Sequence, residues 1–329
     1  MNQSEPVDDE FVEDLYDTIV YHRINMLVAA FIFALNLLLF AVLLSNPTMY
    51  RKPKNQVLII LGMADTMNTI SIFFMGWNRV ALYTRVVNTH QIPVRTNWQC
   101  AMEPWLVLRG IGDVWPPIVQ MIFVVQKCAA VFAPVWYFQH FKNGSIVLFA
   151  SSLAVLAVSL LVGFVGVFLK ESKKAKYYCG RKAAFGTDYA TFIYAINILG
   201  YFLSFVINCV NLVKVYVTSN KRVRRQMKNV RYFLVISFLS FVLVSIPNAI
   251  SLFSAHFEQA ANFISKPSTW FSCANSGINI FVYLSLNPEF RQQFIALIYN
   301  RNPKAVLHTE SDKSNGTSRQ RTTPLVRVQ

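Results

Sequence analysis

One carboxylate, Asp65, interrupts the apolar stretch LIILGMADTMN at residues 58–68. An ionised carboxylate in such a setting costs several kcal/mol unless it is partnered, so a charge of this kind marks a site. Candidate partners stand in TWFSCANSGINIFVY, residues 269–283, where Asn275, Ser276 and Asn279 are spaced i, i+1 and i+4, close to one helical face. Asn36 is a further amide, alone among Phe, Leu and Ala. A buried carboxylate surrounded by amides either serves as an ion or proton site or stays neutral and pins helix packing. A second charged pair, Arg109 and Asp113, lies four residues apart and so on one face, with Glu103 a turn or two before it. No His/Asp or paired-Asp arrangement suited to hydrolysis occurs in the apolar spans, and no Cys-x-x-Cys or Cys/His spacing suits a metal. The chain reads as a non-enzyme.

The elements that position these groups are membrane spans. Apolar residues make up 54% of the chain and charged residues 14%, well under the roughly 25% charge of soluble domains. Apolar windows of about 20 residues fall near 24–45, 56–78, 104–126, 146–169, 189–217, 230–254 and 268–286. The expected fold is an all-α membrane protein, a seven-transmembrane helix bundle with its termini on opposite faces. The first span lacks a signal peptide's basic start and cleavage site, so it reads as a retained helix. With the N-terminus outside, 18 of the 31 basic residues fall in inner segments, as positive charge retained on the cytoplasmic side requires. The exception is KESKKAKYYCGRK at 170–182, with six basic residues outside. The acidic residues 1–23 offer that loop counter-charge. Residues 300–329 are polar, basic and aperiodic and read as a disordered cytoplasmic tail, whose Thr309, Ser311, Ser314, Thr317 and Ser318 are candidate phosphorylation sites. The basic run 221–231 sits between two spans, which favours a juxtamembrane role over nucleic-acid binding. Sequons begin at Asn2, Asn143 and Asn315, and this topology exposes only Asn2 to glycosylation.

Motifs narrow the class. Asn275, Asn279 and Tyr283 form N-x-x-x-N-x-x-x-Y, followed by Asn287, Phe290-Arg291 and Phe294 in an amphipathic segment, 287–299. QKCAAVFAPVWY, residues 126–137, holds Ala130, Val131, Pro134 and Tyr137 after the triplet Gln126-Lys127-Cys128. Together these resemble the seventh and eighth helices and the inner end of the third helix of rhodopsin-like G-protein-coupled receptors. The divergent triplet and the AAVFAPVWYFQHF string are most similar to the nematode serpentine chemoreceptor families. Three departures stand out: the triplet's carboxylate is absent, Ser245 stands where a Trp precedes Pro247, and Ile280 replaces the proline of the seventh helix.

The resemblance implies several roles. Asn36, Asp65, Asn275, Ser276 and Asn279 would form a polar network around a sodium ion at Asp65, the one cofactor expected. Cys100 and Cys179, the two cysteines placed outside, would form the family's disulfide. Arg109, Asp113 and Glu103 lie at the depth where such receptors bind ligands, and an Arg109 facing the pocket would favour an anionic one. Lys127, Tyr283 and Arg231 would serve G-protein coupling, with Lys228 and Arg231 repelling Lys127 and so weakening the inactive state. The expected partners are a heterotrimeric G protein, an external small-molecule or peptide ligand and the lipid bilayer, without nucleic acid. The expected location is the plasma membrane, in sensory cilia. A neuropeptide-type receptor is the alternative, and a secondary transporter or channel the alternative of another class, for which no internal repeat is visible.

Overall fold

The computed structural model describes residues 4–140, 144–170, 173–217, 221–253 and 258–299, with the main chain alone at 138, 140, 221–230 and 258–266. The tail 300–329, the sequon residues Asn2, Asn143 and Asn315, and the Lys228 side chain lie outside the described residues.

Seven helices make the bundle, and they outrun the apolar windows because the helical hydrogen-bond ladder continues through polar ends. The first, Asp9–Leu44, is started by Asp8, whose side chain accepts the Phe11 N–H at 3.0 Å. Most of the acidic segment is therefore helical, and its Leu15 and Ile19 pack on Tyr83 and Val86 of the second helix, Pro53–Thr89. The third helix, Pro104–Phe132, begins with Pro at its first position, where the missing N–H costs nothing. The fourth is Gly144–Phe168 and the fifth Thr187–Val217. The sixth comprises Lys221–Ser240, a π-helical turn at Phe241–Ser245 and Ile246–Leu252. The ladder slips there just before Pro247, which lacks an N–H and disfavours a regular helix behind it. Ser245 uses the slip, its hydroxyl donating to the Ile198 carbonyl of the fifth helix at 2.6 Å.

The seventh helix is Glu258–Leu286. Residues up to Phe281 form one compact unit and those from Val282 a second. In the second, Asn287 caps the short helix Pro288–Ile298, and Phe290 packs edge-on to Tyr283 with ring centroids 5.8 Å apart. Among the described residues, six helices are long and apolar enough to cross a membrane.

In the bundle the first helix packs on the second, the second on the third, the third on the fourth and fifth, and the fifth on the sixth. Gly112 lets the second and third helices approach closely, since a Cβ there would stand 2.6 Å from the Asn68 Cα. At one end, strands Arg95–Thr96 and Lys174–Ala175 pair antiparallel, and Cys100 is bonded to Cys179. Glu5 pairs with Lys174, so one residue of the acidic N-terminal segment meets the basic loop. Arg95 takes Glu103, the first-turn cap of the third helix.

The disulfide closes a 79-residue separation over the third and fourth helices, and constraining a loop of that size typically stabilises by about 2–4 kcal/mol. Replacing both cysteines by serine is therefore expected to lower the melting temperature of the detergent-purified protein by several degrees. An unchanged melting curve would show that the loop is held by its strands and ion pairs alone.

Candidate functional site

The buried polar groups of the bundle join into one column. At its base, Asn279 donates to the Asp65 carboxylate at 2.7 Å, and Asp65 is 2% exposed. Asn68 stands one turn further along the second helix. Its amide Nδ2 donates to the hydroxyls of Ser276, at 2.9 Å, and Ser272, at 3.0 Å, while its Oδ1 accepts from Arg109 at 3.1 Å. Arg109 in turn pairs with Asp113 at 3.0 Å. Arg181, on the short helix Arg181–Phe185, takes the other Asp113 oxygen, and Asn197 of the fifth helix donates to the Asp113 carbonyl at 3.1 Å. Burial works against the Arg181 charge, but Asp113 and Tyr194 outweigh it and hold its pKa above that of an ordinary arginine. The column thus runs from mid-bundle to the disulfide end through the second, third, fifth and seventh helices.

Beside Asp65 a small void is lined by Gln120, Tyr201, Asn275 and Asn279. The side-chain oxygens of Gln120, Asn275 and Asn279 are buried without a hydrogen-bond partner among the described residues. One carboxylate and three uncommitted carbonyl oxygens fit a hard cation. Gln120 carries the third helix's share of this set, at a position the sequence motifs did not flag. Asn36 stands apart: it is 1% exposed, and among the described residues its Nδ2 has no partner and no hydrogen bond joins it to Asp65, which is turned toward the seventh helix.

Among the proposed ligand residues, Arg109 and Asp113 come together and Glu103 does not. Glu103 lies at the helix start, where Arg95 reaches it. A different arginine occupies the gap. Arg79 of the second helix is 8% exposed and donates to the Tyr83 hydroxyl at 2.9 Å. Its guanidinium lies 4.6 Å from the Tyr178 ring centroid and 5.4 Å from that of Trp105. Its Nε is unpartnered, and no carboxylate pairs with it among the described residues. Arg79 falls just past the apolar window that ends at 78 and was not singled out in the sequence; its i, i+4 spacing to Tyr83 was the available signal.

At the opposite end of the bundle, Lys127 lies over the Phe123 ring at 5.2 Å and lines a cavity of about 770 Å³ walled by the second, third and fourth helices. The third and sixth helices meet at Phe123 and Phe233, with ring centroids 4.2 Å apart. Arg231 is exposed on the sixth helix, and Tyr283 is buried in the second unit.

Residues 104–298, more than half of the chain, match the family model of the serpentine type 7TM GPCR chemoreceptor Srsx. The chain belongs to that family. Among curated proteins, none matches it. The receptor is accordingly a multi-pass plasma-membrane protein of the G-protein-coupled class, and its family is one of receptors and not of enzymes. The matched residues take in the third-helix end around Lys127 and the junction from Tyr283 to Phe290, the two segments whose motifs carried the resemblance.

If the oxygen cluster at Asp65 holds sodium, the purified receptor should melt a few degrees higher in sodium than in potassium chloride, because a ligand of the folded state stabilises it by mass action. Asp65→Asn keeps the shape and removes the charge, and should abolish that difference. Equal melting of the parent in both salts would leave Asp65 a packing residue.

Proposed function

We propose that this receptor transduces the binding of an external, small, anionic molecule to a heterotrimeric G protein. The observation that carries the ligand class is charge imbalance at the disulfide end. Arg109 and Arg181 share Asp113 there, and Arg79 stands against Tyr178 and Trp105 with no carboxylate of its own among the described residues. A buried guanidinium without a carboxylate is costly, and aromatic faces recover part of that cost, about 0.5–2 kcal/mol per contact. An anionic ligand group would complete the compensation at Arg79, where Tyr178 of the loop now covers it. The disulfide supports an oxidising, external side for this end, and with it an external N-terminal segment. A chemosensory role fits expression at a sensory ending such as a cilium.

Transmission follows from the column. A ligand that draws Arg109 or Arg181 from Asp113 alters the load on Asn68, and through Ser272 and Ser276 on the seventh helix. The response at the other end is a movement of the sixth helix about its π turn and Pro247, which separates Phe233 from Phe123. Such a movement opens the cleft in which a G protein docks, with Lys127, Arg231 and Tyr283 as the coupling residues. No carboxylate neighbours Lys127 in the Gln126-Lys127-Cys128 triplet, so the inactive state is held by apolar contact and some ligand-independent signalling is expected.

Two variants test the two ends. In cells that express the receptor with a reporter G protein, Arg79→Gln should weaken responses to carboxylates by roughly tenfold or more, the weight of one charge-assisted bond, while sparing surface delivery. Equal potency in parent and variant for an identified acid would remove Arg79 from the site. Lys127→Arg should maintain or raise nucleotide exchange and Lys127→Ala abolish it at equal surface level, since arginine keeps the charge and adds directed donors. Normal exchange by Lys127→Ala would take Lys127 out of coupling.

A further inference from the structure

A cavity lies beside Lys127, at the end of the bundle opposite the disulfide. Its volume is about 770 Å³, and its walls change character along its length. Ile59, Ile60, Met63, Ile146 and Phe149 form an apolar side, and Met63 and Ile146 are themselves exposed on the outer surface of the bundle, where lipid lies. The polar lining of the cavity includes Lys127 and Gln126, with Tyr50, Gln56, Tyr137 and Ser145. Lys127 has an aromatic neighbour in Phe123 and no ion-pair partner among the described residues. Gln126 is 5% exposed, and its Nε2 is buried without a hydrogen-bond partner among the described residues. No acidic residue lines the cavity among the described residues. A cation and an unsatisfied amide donor, opposite an apolar wall, are complementary to an amphiphile with an anionic head.

We propose that this cavity holds one anionic phospholipid, its phosphate or carboxylate oxygens on Lys127 Nζ and Gln126 Nε2 and its acyl chains along Ile59, Met63 and Ile146. The lipid head would take the part of the carboxylate missing beside Lys127, so that the cation is neutralised by the membrane and not by the chain. The cytoplasmic leaflet supplies such lipids, and one lysine near an anionic surface is worth about 1 kcal/mol, or roughly fivefold in binding. Arg51, Lys52 and Lys54 lie just before the cavity residues of the second helix and would draw the same headgroups to its mouth. The assignment to that leaflet rests on the orientation proposed above, whereas the binding itself does not.

The test is lipid retention by the purified full-length receptor, read by native mass spectrometry after equilibration with equal amounts of phosphatidylserine and phosphatidylcholine of identical chains. The parent should keep one phosphatidylserine in preference to phosphatidylcholine by about fivefold or more, and Lys127→Arg should keep the preference. Lys127→Ala should lose it. Gln126→Glu, which supplies an acid beside Lys127, should lose it too, and serves if Lys127→Ala does not fold. No preference in the parent, or full preference in Lys127→Ala or Gln126→Glu, would overturn the proposal. Retention is measured without ligand or G protein, so a failure of coupling leaves this result standing.

Discussion

Charge taken out of water must be compensated by something that stays in place, and in this bundle that something is Asn68. One primary amide offers two donors and an acceptor, and Asn68 spends them on three side chains from two other helices: Ser272 and Ser276 of the seventh, and Arg109 of the third. Gly112 makes this geometry accessible, because any larger residue would push the third helix away from the Asn68 backbone. Were the amide lost, Arg109 would keep Asp113 but lose its tie to the second helix, and two hydroxyls would lose their donor. A buried network left half-satisfied is worse than an apolar one, so the column acts as a unit.

The same constraint explains what is absent. Local solutions stand where the family's usual residues are absent: Ser245 bonds the fifth-helix carbonyl at Ile198 where a Trp was expected, and Gln120 brings an oxygen from the third helix to the Asp65 void. Each substitution preserves a hydrogen-bond or packing function with different chemistry. At the Lys127 end no carboxylate pairs with the cation among the described residues, and the proposed lipid headgroup would take that place.

Much of this was legible in the sequence. Seven apolar windows, the Asn279 and Asp65 pairing, the Arg109 and Asp113 spacing and the two outer cysteines could all be read from composition, helical period and family resemblance. What escaped has a common cause. A hydropathy window marks where lipid is, not where the helix ends, so Arg79 and the helical start at Asp9 fell outside it. Periodicity gives the face a residue occupies on its own helix but not which neighbour that face meets. Hence Glu103 and Arg109, near in sequence, found different partners, and among the described residues Asn36 has no bond to Asp65 and Lys127 lines a cavity beside the second and fourth helices.

The central claim is that Asn68 couples the arginine end to the seventh helix, and it can be measured without knowing the ligand. Arg109 and Ser276 share the Asn68 side chain as a hydrogen-bond partner. A double-mutant cycle of Arg109→Gln and Ser276→Ala, read as unfolding free energy of the purified receptor, should give an interaction energy of about 0.5–3 kcal/mol that disappears when the cycle is repeated with Asn68→Ala. Additivity within about 0.5 kcal/mol in the parent, or a coupling that survives Asn68→Ala, would contradict it.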